Sequence, residues 1–359
     1  MLRMALMAVI AAGAVAAGLA VPALAAGPAG GGWRMVDLPQ PDGRVIEVAA
    51  AGGVQWAVVT NNTTEKTTVW DDSGSGWAQT TLPVYPAPFN LGLYLRAGSA
   101  ADVWAFIPYT SGRSAGPAGF DAVHWNGTAW SAAGSFANPD GAGSVNDAIV
   151  LGPADVWAFS GPGDRGTGTA WHWNGSAWSR VSAPGTGLGC GSALSPNSIW
   201  ACDGSSVAHW NGSSWTLTSV ASMLLPAVGS LDAVNAIVAE SPDNVYAVGD
   251  GNAHSDLGPV VVLHWDGRAW TRIVSYGFGT IAPFGVAGDG HGGLWWMMGP
   301  VFPSALHWTG GKLIDLNQPV PIDAVNLYSL ARASAAGAML IGGQLRSGKY
   351  GPVVVEYTP

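Results

Sequence analysis

The sequence predicts an all-β fold: a closed, seven-bladed β-propeller of four-stranded blades, in which an N-terminal strand completes the last blade. Three observations carry that prediction. A strand centred on an aromatic residue returns six times and a degenerate copy makes the seventh, at intervals of about 47 residues, within the range of propeller blades. A His-Trp-Asn-Gly hairpin, or a close variant, follows most copies. The last copy stops one strand short, while an orphan strand lies near the N-terminus.

Composition narrows the alternatives. With 359 residues, 48% hydrophobic and 10% charged, the chain can bury a sizeable core and is not disordered. Its 52 glycines follow no three-residue period, so it is not collagen-like. A formal charge of −9 with 14 Lys plus Arg leaves no basic footprint for nucleic acid or anionic lipid.

In chain order, residues 1–25 read as a signal peptide. Arg3 precedes an apolar stretch from Met4 to Ala20, and Ala23-Leu24-Ala25 fits a signal peptidase site, with cleavage expected after Ala25. The competing reading is an uncleaved anchor, since about twenty apolar residues can span a bilayer. Pro22 and the Gly-rich segment that follows favour removal. Residues 26–32 then form a Gly-rich lead-in, and 33–359 a single propeller domain. The expected product is secreted, monomeric and free of the membrane after cleavage.

The strand anchors are Gln55-Trp56-Ala57, Val103-Trp104-Ala105, Val156-Trp157-Ala158, Ile199-Trp200-Ala201, Val245-Tyr246-Ala247, Leu294-Trp295-Trp296 and, degenerate, Ala338-Met339-Leu340. The hairpins begin at His124, His172, His209, His264 and His307. Asn-Gly or Asp-Gly between strands suggests a tight type I′ turn, which requires positive φ at both central residues. Runs such as Val260 to Leu263 are apolar throughout, as expected of strands covered on both faces. At the ends, Val353 to Thr358 supplies a third strand, and Gly32 to Val36 matches the fourth strand of other copies. Pairing the two would close the ring and remove open edges.

On these anchors, and above all on Ser241 to Gly249 followed by Leu263 to Trp270, the chain resembles the seven-bladed propellers of the kelch and galactose-oxidase-like class in secreted bacterial repeat proteins. That resemblance implies the fold; the class itself hosts enzymes, lectins and docking surfaces. The turn Asp72 to Trp77 also resembles an Asp-box of sialidase-type propellers, in one copy only.

The five repeat histidines fall on different blades and cannot converge on one metal, so a structural role, wedged between blades, is expected. His254 and His291 fall outside the repeat. The tryptophans read first as core, with sugar stacking as the alternative. Cys190 and Cys202 flank one turn symmetrically and read as a disulfide, against buried free thiols. No nucleophile–base pair, metal cluster or phosphate loop stands out, so no metal or cofactor is expected.

A ligand site is expected on the face of the variable loops, at Asp164, Arg165, Asp250, His254, Asp256 and Arg346. The starts of the inner strands, Asn146, Asp147, Asp232, Asn235, Asp323 and Asn326, would point polar groups at the channel mouth. The leading function is a secreted binding module for a glycan or protein. The alternatives are a polysaccharide hydrolase or lyase using loop aspartates, and a structural docking module of the cell envelope.

Overall fold

The structure is a computed structural model that describes residues 25–26, 32–83, 93–110, 117–137, 145–160, 169–182, 184–185, 187–224, 233–250, 260–276, 285–298, 304–315, 325–334, 337–345 and 351–358. It forms seven sheets, one for each predicted blade. In chain order, the inner strands of blades 1 to 7 are Arg44–Ala51, Tyr94–Ser99, Val145–Gly152, Cys190–Ser195, Ala233–Ser241, Gly285–Gly288 and Val325–Arg332. Each blade continues outward as an antiparallel meander. Among the described residues, no helix is long and apolar enough to cross a membrane.

Closure occurs as the sequence suggests. Gly32–Asp37 pairs antiparallel with Pro352–Thr358, from Gly32 opposite Thr358 to Asp37 opposite Val353, and becomes the outer strand of blade 7. Arg34 reinforces the seam through Glu356, with Nε and Nη2 2.9 and 2.5 Å from Oε2. Ala25–Ala26 runs parallel beside Ile314 and Asp315 at the outer edge of blade 6.

The core is distributed between blades. Trp56, Trp104 and Trp295, the repeated anchors, are essentially inaccessible. Trp104 lies against Trp173 and Trp178 of the next blade, with centroids 5.8 and 5.9 Å away, and Trp200 repeats the pattern with Trp265 and Trp270. Each anchor therefore fills the wedge between neighbours, which is why a large flat side chain recurs there.

One local expectation is corrected. The Asn-Gly and Asp-Gly hairpins are not type I′ turns, whereas Thr309–Lys312 closes on two residues, Gly310 and Gly311, both with positive φ. Trp125 pairs with Trp130, leaving the four residues 126–129 as the loop. Asn126 Oδ1 accepts from the backbone N–H of Thr128 and Ala129 at 3.0 Å, and of these residues only Gly127 has positive φ, +95°. The Trp125–Trp130 ring pair, 5.7 Å apart, fixes the register, and the Asn side chain supplies the turn's missing bonds. Asn174, Asn211 and Asp266 do the same.

The repeat histidines share the inter-blade face of the anchor ring with which they pair. Each bonds within its own blade. Four reach the residue that begins the second strand, His124 to Asp102, His172 to Asp155 and His264 to Asn244 at 2.8 Å and His209 to Ser198 at 3.2 Å, while His307 reaches Asp289, in the turn that precedes the second strand, at 2.7 Å. The imidazole also lies against the anchor ring, as in His307 on Trp295 at 4.1 Å and 9°. It thus ties the second strand to the third, while the tryptophan reaches the neighbouring blade. His291, outside the repeat, is exposed.

Cys190 and Cys202 form the expected disulfide. They sit directly opposite on adjacent strands with Cα atoms 5.2 Å apart, both buried.

Candidate functional site

The inner strands of all seven blades wall a central cavity of about 580 Å³, a size typical of ligand pockets. Strand pairing defines equivalent levels on this wall. At the level one step past the anchor Ala, the inner residues are Glu47, Tyr94, Asp147, Cys190, Ala236, Gly285 and Leu330. The polar groups at this level fall in consecutive blades 1 to 3.

Those three residues and Arg96 form one cluster. Arg96 Nη1 lies 2.6 Å from Glu47 Oε1, and Nη2 lies 3.3 Å from Asp147 Oδ1. Tyr94 donates its hydroxyl proton to Asp147 Oδ1 at 2.8 Å, while its ring lies under the Arg96 guanidinium at 4.2 Å. Asp147 Oδ2 accepts the Gly191 N–H at 3.0 Å. Gly191 is required there, because a Cβ would collide with the Phe159 ring. Ser329 accepts from Val48 N at 3.1 Å and donates to Glu47 Oε2 at 3.3 Å. The cluster therefore stitches blade 7 to 1, 1 to 2, 2 to 3 and 3 to 4.

The rest of the wall is sparser. Ala239 N–H donates to Ser192 Oγ at 3.0 Å, joining blades 4 and 5. Near the far end of the inner strands, Arg332 Nη1 sits 3.3 Å from Glu240 Oε1. Between these groups the wall is small and apolar, with Ala236, Val238, Gly285 and Ala287 facing the cavity.

Burial sets the electrostatics. It pushes the Glu47 and Asp147 carboxyls above their ordinary values, and Arg96 only partly offsets the effect. Burial likewise raises Glu240 against the pull of Arg332. One guanidinium between two buried carboxylates leaves this sector with an excess of negative charge and of acceptor oxygens. Nothing in it has the geometry of an activated nucleophile, and among the described residues no group of three His, Cys, Asp or Glu could hold a metal ion.

Of the residues expected at the mouth, Asp147 lies in the wall, tied to neighbouring blades and not pendant. Asn146 and Asn235 occupy the extra position of inner-strand bulges, between Val145 and Asp147 and between Val234 and Ala236. Asn235 is exposed and lines the cavity. Asn326 lies opposite Gln344 and is half-buried. The backbone of Asp250 pairs with Ala233 and Val260, at the same end of blade 5 as Asn235. Asp164, Arg165, Asp232, His254, Asp256, Asp323 and Arg346 lie outside the described residues.

Sequence reasoning missed Glu47, Tyr94, Arg96, Glu240, Ser329 and Arg332. The usable signal is register. Tyr94, Asp147, Cys190, Ala236 and Gly285 each stand ten residues before an anchor aromatic, and Glu47 nine. Aligning the copies there exposes the polar run.

No family model matches the chain, and no curated protein does. Solved structures do match. One titled YCF48 bound to D1 peptide is 16% identical with a TM-score of 0.58, covering 95% of this chain and all of that one. The WD40 β-propeller domain of Doa1 is 13% identical with a TM-score of 0.59, covering 91% and 97%. The GH74 xyloglucanase from Xanthomonas campestris is 14% identical with a TM-score of 0.58, covering 90% of this chain and 53% of that one. At these identities the likeness defines the class, a seven-bladed β-propeller.

Proposed function

We propose that this protein is an exported binding module of the kelch and galactose-oxidase-like class, which holds a segment of a protein or glycan ligand at the mouth of its central channel without transforming it. The observation that carries the reading is the two-sided wall of the cavity: carboxylates, a stacked guanidinium and a tyrosine on one side, small apolar residues on the other. Such a wall can orient a ligand by a few polar contacts while burying its apolar surface. The charged groups are engaged with one another, which suits binding better than acid–base chemistry. A peptide is the first reading, supported by the neighbour solved with one. A glycan is the second, supported by Tyr94 and the carboxylates of the same wall, whose hydroxyl and oxygens suit sugar hydroxyls.

The test is binding of the purified protein to peptide and glycan arrays, repeated with Asn235→Trp, which fills the mouth from an exposed position. Binding lost at unchanged melting temperature supports the site. Undiminished binding by the variant, or release of products from a bound polysaccharide, overturns it. N-terminal sequencing of exported material should begin at Ala26.

A further inference from the structure

The seven blades differ in how they protect their outer edges, and one stands open. Outermost strands present unpaired N–H and C=O groups, which natural sheets guard with charge, bulges, shortness or a cover. The outer strand of blade 1, Ala78–Thr80, is short. That of blade 2, Trp130–Ala137, is broken by a bulge between Ala132 and Ser135. Blade 3 carries Arg180; blade 5 carries Arg272 beside a bulge; blade 6 carries Lys312; blade 7 carries Arg34 and Asp37. The outer strand of blade 4, Trp215-Thr216-Leu217-Thr218-Ser219, has no charge, no proline and no bulge in its ladder with Ser206–Trp210. Leu217 is one of two large hydrophobic side chains exposed among the described residues, at 42%.

The backbone pattern shows which groups point outward. Asn211 N–H donates to Ser214 O, and Val220 N–H to Ser205 O, so these two pairs are hydrogen-bonded. Hydrogen-bonded and non-hydrogen-bonded pairs alternate along an antiparallel ladder. Between those pairs, Thr216 and Thr218 therefore bond inward, while Trp215, Leu217 and Ser219 turn their N–H and C=O away from the blade.

We infer that this edge pairs with the same edge of a second copy, antiparallel about a two-fold axis at Leu217. The strand is its own complement. Leu217 meets Leu217, Thr216 stands beside Thr218, and Trp215 exchanges backbone bonds with Ser219, so every outward group of one copy finds a partner in the other. No like charges oppose one another, and the exposed leucines cover each other. Any other blade would bring a charge, a bulge or too short a strand to the same contact. The contact is small, so the dimer is weak, with a Kd on the order of 100 µM to 1 mM, and the dilute protein stays monomeric as the sequence suggested.

Sedimentation velocity from about 10 µM to about 1 mM tests it. The weight-average mass of the wild type should rise toward twice the monomer. Leu217→Lys, which sets two lysines face to face, should remain monomeric. Leu217→Pro should do the same at nearly unchanged melting temperature, since the lost N–H has no partner within the blade. Amide exchange at Trp215, Leu217 and Ser219 should slow with concentration, while Thr216 and Thr218 change little. A wild-type mass that stays constant, association by Leu217→Lys equal to wild type, or association without protection of those three amides would each overturn the proposal.

Discussion

Blades 1 to 3 and blades 4 to 6 wall the same channel with inner strands in the same register, yet they hold it together by different means. In blades 1 to 3 the shared level carries Glu47, Tyr94 and Asp147, and Arg96 binds both carboxylates. In blades 4 to 6 that level carries Cys190, Ala236 and Gly285, with a covalent bond to Cys202 and otherwise small side chains. One sector is stitched from blade to blade by charge, the other is pinned within a single blade and left smooth. The repeat thus fixes the scaffold, while single substitutions at one level decide which side of the channel offers polar contacts.

The contrast can be broken at its strongest point first. Replacing both Cys190 and Cys202 by serine opens a loop of 12 residues and should cost about 3 kcal/mol, seen as a lower denaturant midpoint. If the smooth sector depends on this pin, the cavity-facing strands of blade 4 should lose amide protection before those of blade 2. Next comes Arg96→Met, which strands two buried carboxylates. About 2 to 3 kcal/mol is expected, less than for a fully enclosed pair because Arg96 is about a third exposed. Adding Glu47→Gln and Asp147→Asn to that variant should recover part of the loss, and a double-mutant cycle reads the coupling.

A smaller effect concerns pH. Burial holds the folded-state values of Glu47 and Asp147 above their unfolded values near 4. The folded protein therefore binds more protons across that window, and these groups lower stability as pH rises through it. Glu47→Gln with Asp147→Asn should flatten this part of the profile of melting temperature against pH, measured from about pH 4 to pH 7. The smallest change is Glu240→Gln, on the sparse side. Its partner Arg332 is 43% exposed, so about 0.5 kcal/mol is expected. A loss as large as that of Arg96→Met would erase the distinction between the sectors.

What the sequence revealed follows the same division. The blade count, the disulfide and the closing strand depend on features that recur or mirror each other along the chain, such as Trp56 to Trp295 and the symmetric cysteines. Asp147 was visible because it begins an inner strand beside Asn146. Arg96 and Glu47 were not, because neither belongs to the repeated motif and they meet, 49 residues apart, only when neighbouring blades stack. The hairpin turns were misread because Asn-Gly is compatible with two geometries, and the facing Trp125 and Trp130 select the longer one. The open edge of blade 4 emerges only when seven outer strands are compared with their pairing in view.

The seam of blade 7 has a consequence in time. Trp33 leaves the ribosome long before its partner Tyr357. Six blades can stack as they emerge, while the strand that completes the ring must wait with its neighbours unclosed. Bringing together ends more than 300 residues apart carries an entropic cost that grows only with the logarithm of the separation, but it falls on a single late event. Closure is therefore gated by the arrival of Pro352–Thr358, and a chain halted before that strand would be an almost complete wheel that cannot lock.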